Sequence, residues 1–262
     1  DLVTLRLLFA GLFLLITAGP SAIGVLLTRR NALDMVIAGL FVFLGQFCFM
    51  QALLYVNAGT AAIILMTVPF WVAFWQAVAQ KKVPAKVEVV CFVLAMTGVA
   101  LIVTHGDFSS LSFDARGVAW GLASAFATTG YTIQPRALLM RAPVVVVMGW
   151  AMLFGGVIAS LFSPPWTISY DWSMKTSLLV LFVVTIGTVA AFWCYLLAVR
   201  LISPVIVGLL ICSEPLSAYL LSVFFLETHI SRAEIFGAGF VLAAVVIVTA
   251  QGKLSKKKST NA

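Results

Sequence analysis

Nine stretches of this chain are almost continuously apolar: residues 2–20, 33–56, 60–79, 87–104, 117–134, 144–162, 178–199, 203–226 and 235–250. Their lengths approach the roughly 20 residues that a helix needs to cross the hydrocarbon core of a bilayer. Barrel strands alternate apolar and polar residues, and these runs do not, so helical spans are predicted. Turn and charge signals separate them, among them Arg29-Arg30-Asn31, Asn57-Ala58-Gly59, Lys81-Lys82-Val83-Pro84, Ser163-Pro164-Pro165 and Ile202-Ser203-Pro204. The chain is 63% hydrophobic and 10% charged, against about 25% charged in a soluble domain. It has too little polar surface to be an ordinary soluble enzyme, a disordered tail or a fibrous repeat. The predicted class is an all-α integral membrane protein without a large soluble domain.

The net charge of +7 is not gathered into a face that would bind nucleic acid, so none is expected as a partner. Cys48, Cys91, Cys194 and Cys212 lie inside apolar runs without Cys-x-x-Cys spacing, which predicts packing residues and no metal site. No leader is read at the start, which opens directly into an apolar run.

Lysine and arginine mark the cytoplasmic ends of membrane spans. Alternate connections collect 12 basic residues on one side, from Arg29 and Arg30 through Lys81, Lys82, Lys86, Arg136, Arg141 and Arg200 to Lys253, Lys256, Lys257 and Lys258. The other connections hold 3, namely Arg116, Lys175 and Arg232. The last basic residue, Arg6, lies within the first run. The bias predicts a cytoplasmic C-terminus and an external position for residue 1.

Displaced by 146 residues, the chain lays its apolar runs onto one another without a gap. Run 2–20 falls on 144–162, 33–56 on 178–199, 60–79 on 203–226, and 87–104 on 235–250. Pro69 meets Pro215, Glu88 meets Glu234, and Cys48 meets Cys194. Coincident boundaries carry this reading, since residue identity is no higher than the biased composition gives. Five spans separate equivalent helices, so the halves run in opposite directions, as in many secondary transporters. The predicted architecture is two five-helix inverted-topology repeats, with nine transmembrane helices present and the first of ten absent. The expected divisions are 1–104 for the first repeat, 105–116 for an extracytoplasmic connection, 117–250 for the second repeat, and 251–262 for a basic cytoplasmic tail.

The stretch from Ala52 to Pro69, its counterpart from Leu197 to Pro215, and Phe225-Leu226-Glu227 followed by Ile235-Phe236-Gly237-Ala238-Gly239 together resemble the EamA branch of the drug/metabolite transporter superfamily. Arg6 resembles an arginine common at the start of that family's second helix. The chain departs from the family pattern in lacking a glycine before Glu227 and in carrying Gln80-Lys81 at the matching place in the first half. The resemblance implies ten helices in two repeats and export of amino acids, related metabolites or drugs.

Glu214 is the sharpest single feature, about twelve residues into its run. An acid at that depth costs several kcal/mol on structural models and about 2.5–3.5 kcal/mol on insertion scales, and should meet a cavity or a polar partner. It is a candidate proton acceptor or counter-ion for a cationic substrate. The alternative is a neutral acid bonded to a neighbouring helix. Pro69 and Pro215 each remove a backbone donor within a run, which predicts symmetric kinks with a packing or gating role. Trp71 and Trp75 follow Val68 on one helical face, and Val68 is the repeat counterpart of Glu214. A central pocket is therefore expected between the helices carrying Val68–Trp75 and Cys212–Ser217, with Gln46, Trp120, Tyr131 and Trp193 contributing. Each aromatic has packing or lipid contact as its alternative fate. Trp166, Tyr170 and Trp172 read as interfacial belt residues. Gly239 and Ala243 form a small-xxx-small pair suited to a close helix contact or a homodimer seam. His105 and His229 fall at outer loop ends and read as solvated.

No phosphate-binding loop, catalytic triad or paired mid-membrane carboxylates are found, so no cofactor, no catalytic residue and no enzymatic activity are expected. The expected function is secondary-active or facilitative transport of a small organic metabolite, mainly export, by alternating access in the cell inner membrane. An importer of the same fold and a lipid-handling or structural membrane protein are the alternatives. The expected partners are a small-molecule substrate, the lipid bilayer and a second copy of the chain.

Overall fold

The computed structural model describes residues 2–81, 84–111, 113–165, 173–226 and 231–260. Among them, all nine apolar runs fall on helical segments: α1 (Leu2–Ala18), α2 (Ser21–Leu26), α3 (Arg29–Ala52), α4 (Ala58–Leu65), α5 (Val68–Gln80), α6 (Lys86–Thr104), α7 (Ala115–Ile133), α8 (Arg136–Leu139), α9 (Val144–Phe162), α10 (Met174–Val184), α11 (Ala191–Leu201), α12 (Pro204–Ile211), α13 (Glu214–Leu226) and α14 (Arg232–Thr260). Six stretches are long and apolar enough to cross a membrane: Arg29–Ala52, Ala58–Ala79, Lys86–Thr104, Val144–Phe162, Met174–Leu201 and Arg232–Ala250. Val3–Ala18 and Pro204–Ala218 are shorter apolar helices.

The repeat is visible in the helix ends themselves. Displaced by 146 residues, Ala58–Leu65 becomes Pro204–Ile211, Val68–Gln80 becomes Glu214–Leu226, and Lys86 becomes Arg232, the first residue of α14. The start signals repeat as well. The Ala85 N–H donates to Glu88 Oε2 at 2.9 Å, and the Ser231 N–H donates to Glu234 Oε2 at 2.6 Å, so one capping contact opens both α6 and α14.

Three of the predicted runs are interrupted. α4 gives way to α5 at Met66-Thr67, and α12 to α13 at Cys212-Ser213, two or three residues before Pro69 and Pro215. A proline cannot donate to the carbonyl four residues back, and its ring crowds that carbonyl, so the helix reopens there. The run 178–199 carries a wider-wound segment, Thr185–Ala190, in which the Thr188 hydroxyl donates to the Val183 carbonyl at 2.9 Å. The run expected at 33–56 begins earlier, at Arg29. Ahead of it, Gly19 at φ +62° ends α1 and allows the short α2, onto which Trp150 donates its indole N–H at the Ala22 carbonyl (3.0 Å).

The chain forms two units, each drawing on both halves of the sequence. The first comprises Asp1–Phe47 and Gly130–Ile202. In it α1 lies along α9 at a separation that glycine sets. A Cβ on Gly11 would stand 2.6 Å from the Leu153 nitrogen, and one on Gly156 would stand 2.9 Å from the Leu8 nitrogen. Small residues let membrane helices approach and gain dispersion contacts where lipid offers no hydrophobic drive.

The second unit comprises Cys48–Thr129 and Ser203–Ala262. Its seam is α6 against α14, where a Cβ on Gly98 or on Gly237 would sit 2.6 Å from the other glycine's carbonyl oxygen. Gly239, expected at a close helix contact or a homodimer seam, has nothing from another element among the described residues within 4 Å of a Cβ built there, and it lies on an exposed face of α14. At the helix breaks, repeat counterparts meet: Cys212 Sγ lies 3.9 Å from the Met66 carbonyl.

Candidate functional site

The break between α12 and α13 places Glu214 as the first residue of α13. Its exposed side chain lines a cavity of about 530 Å³ within the second unit. Leu65, Met66 and Pro215 line the cavity beside it, and Ala58, Gly59, His105 and Glu234 line its far end. Small residues at the start of α4 leave the space. The proline-directed break brings the carboxyl to its wall.

The far end is a polar staple that the sequence reading did not single out as a site. Glu234 is buried (3% exposed) and accepts two short contacts. His105 Nδ1 lies 2.6 Å from its Oε1, and the Ser231 N–H donates to its Oε2 at 2.6 Å. The Ser231 hydroxyl returns a bond to the His105 carbonyl at 3.3 Å. His105 takes a left-handed backbone conformation (φ +53°) to close α6, and its ring remains 71% exposed. The pairing of Glu88 with Glu234 in the repeat was the available signal, but nothing in sequence spacing joins His105 to a residue 129 positions away.

A smaller cavity of about 260 Å³ in the same unit is lined by Pro69, Glu88 and Val205, the counterparts at a displacement of 146 of Pro215, Glu234 and Gly59. The two cavities thus share three repeat-related positions in their linings. They differ chemically at the helix break, where Val68, fully buried, stands in the place of Glu214.

Among the other residues singled out from sequence, Trp71 is half-buried in an aromatic group. Its indole N–H donates to Thr67 Oγ1 at 3.2 Å, and its ring meets Phe74 and Phe126 edge-on at 6.3 and 6.2 Å. Neither Trp71 nor Trp75 is among the residues lining the Glu214 cavity, and Trp75 is exposed. Trp120 packs against Ala52, Val56 and Ala61.

In the first unit, Gln46 accepts a bond from Arg6 Nη2 at 2.6 Å. Tyr131 is buried and stacks on Tyr195 with ring centres 6.0 Å apart and planes 12° from parallel. The Tyr195 hydroxyl bonds Thr132 at 2.5 Å, whereas the Tyr131 hydroxyl has no partner among the described residues. Trp193 is exposed. Trp166, Tyr170, Trp172 and His229 lie outside the described residues.

Comparison with known proteins agrees with this architecture. A protein of Salmonella typhimurium (strain LT2) described as "Uncharacterized inner membrane transporter YicL" is 32% identical over 252 residues, covering 95% of this chain and 84% of that protein. "Uncharacterized transporter YwfM" of Bacillus subtilis (strain 168) is 23% identical over 178 residues, covering 67% of this chain and 59% of that protein. A solved structure titled "Crystal structure of protein" shares the fold with a TM-score of 0.76 at 17% identity, covering 96% of this chain and 87% of that one. The EamA-like transporter family matches residues 1–104 and 115–250. The chain belongs to the EamA-like transporter family and is a multi-pass membrane transporter.

Proposed function

We propose that the protein is a secondary-active or facilitative exporter of small organic metabolites, such as amino acids, amines or drugs. It works by alternating access in the inner membrane, with its C-terminus in the cytoplasm. The observation that carries this reading is Glu214 on the wall of the 530 Å³ cavity at a proline-directed helix break. Helix breaks that recur at the same place in both halves supply the kind of paired hinge that alternating access uses. An intramembrane carboxyl is the natural partner for a substrate amine or for a coupling proton, because either removes the cost of an isolated charge. The relative YicL, an inner membrane transporter, supports the inner-membrane location. The apolar wall beside Glu214, with the His105–Glu234 pair at the far end, suits an amphipathic molecule with an apolar body and an amine.

The test is reconstitution into liposomes with Glu214→Gln. If Glu214 exchanges protons, the variant loses dependence on a pH gradient and keeps substrate exchange. If it binds the amine, uptake and exchange of cationic substrates fall together. Wild-type behaviour in both assays removes Glu214 from the site.

A further inference from the structure

Arg6 sits near the start of α1 between two buried leucines, Leu5 and Leu7, in a helix whose other side chains are apolar apart from Thr4 and Thr17. A guanidinium has five N–H donors and carries a full charge. Here Nη2 donates to Gln46 Oε1 at 2.6 Å, and Nε is buried with no partner among the described residues. Among the described residues no carboxylate pairs with it, and the one ion pair joins His105 and Glu234. Arginines near helix ends ordinarily reach out so that the whole guanidinium is hydrated. This one is turned inward, with Nε enclosed and one terminal nitrogen held by a neutral amide from α3. The residue as a whole is only half-buried.

An oriented guanidinium in apolar surroundings, with no carboxylate paired to it among the described residues, is matched by a planar oxyanion taking two parallel N–H bonds. We propose that Arg6, positioned by Gln46, binds the carboxylate of a small organic solute. Gln46 acts as a positioning residue, because its carbonyl oxygen fixes the plane of the fork without cancelling the charge. The inference rests on the transport reading, since it names a substrate group. Its test measures binding without turnover, so failure of the site and failure of transport are told apart.

The probes are benzoate and hexanoate, with benzamide and hexanamide as uncharged isosteres. The full chain is held in nanodiscs of phosphatidylcholine, and separately of phosphatidylglycerol, at constant ionic strength. A ligand that binds the folded state raises its unfolding midpoint in proportion to occupancy. The carboxylates are expected to raise the midpoint in both lipids and the amides to leave it unchanged. Arg6→Gln should weaken carboxylate binding by at least roughly tenfold, about the loss of one good charged contact. Gln46→Leu should weaken it severalfold, and Arg6→Lys should do the same, because an ammonium keeps the charge but not the fork. Equal shifts by carboxylate and amide overturn the proposal, as does undiminished binding in Arg6→Gln. Should Arg6→Gln fail to fold, unchanged affinity in both Arg6→Lys and Gln46→Leu overturns it. A midpoint that follows phosphatidylglycerol content and ignores added carboxylate assigns Arg6 to a lipid phosphate instead. Carboxylate binding that persists in a protein inactive in liposomes keeps the site and overturns the transport reading.

Discussion

At the scale of single residues, the two capping glutamates are the same device in different surroundings. Glu88 accepts from a backbone N–H at an exposed helix start, whereas Glu234 does so buried and with His105 as a second partner. Glu88→Ala should cost about 0.5–2 kcal/mol, the range of an ordinary cap. Glu234→Ala leaves the half-buried Ser231 amide without its acceptor and removes the His105 contact between α6 and α14, so it should lie toward or above the top of about 1–3 kcal/mol. Thermal unfolding of the purified protein checks the order; equal losses would mean the His105 contact adds nothing. Tyr131 makes the opposite case. A buried hydroxyl without a partner carries a desolvation cost, so Tyr131→Phe should leave stability unchanged or raise it by about 1 kcal/mol. A clear loss of stability would show that the hydroxyl has a partner. The sequence could mark Tyr131 and Glu214 as unusual, because a polar group in an apolar run stands out by itself. It could not reveal the Glu234 staple or the Arg6–Gln46 bond, since each joins residues far apart in the chain through side-chain geometry.

At the scale of elements, most helix positions were legible because bilayer-crossing helices are written in long apolar runs. The run 144–162 coincides with α9. What the runs concealed were interruptions: apolar residues continue across the breaks at Met66-Thr67 and Cys212-Ser213, and only the following prolines betray them. Helix contacts were less legible, because a glycine in sequence does not say which way it faces. Gly237 meets Gly98 across the α6–α14 seam, while Gly239, two positions on, faces away from this chain. Gly98→Ala must move a backbone carbonyl 2.6 Å from the new Cβ, and overpacking of that kind costs about 1–3 kcal/mol. Gly239→Ala should be neutral or stabilise by up to about 1 kcal/mol, as alanine does in an open helix position. Unfolding midpoints of the two variants should therefore move in different directions. A large loss from Gly239→Ala alone would mean that a second copy of the chain covers that face.

At the scale of the whole molecule, inverted repeats require equivalent helices to cross the bilayer in opposite senses. The repeat fixes only this relation between the halves; which end faces the cytoplasm is a separate question, set by the loops. Here 12 basic residues against 3 fall on one set of connections, and the excess recurs loop by loop. Transfer of each lysine or arginine across the membrane during insertion is opposed by the membrane potential, so a repeated excess on one side orients the chain. Lys81, the left-handed residue that closes α5, should accordingly be cytoplasmic. Asp107, in the turn after α6 where its carboxylate accepts from the Ser109 N–H and hydroxyl, should be external. The polar staple at His105 and Glu234 then opens on the outside, and the repeat-related start of α6 at Glu88 lies inside. Single cysteines at 81 and 107, placed in a background in which the four native cysteines are serine, separate the alternatives. A membrane-impermeant maleimide added to intact cells should label Asp107→Cys and spare Lys81→Cys until the membrane is permeabilised. Labelling of position 81 but not 107 in intact cells would reverse the orientation of both repeats. It would also turn the acid-bearing cavity toward the cytoplasm, so that Glu214 would be loaded from the inside.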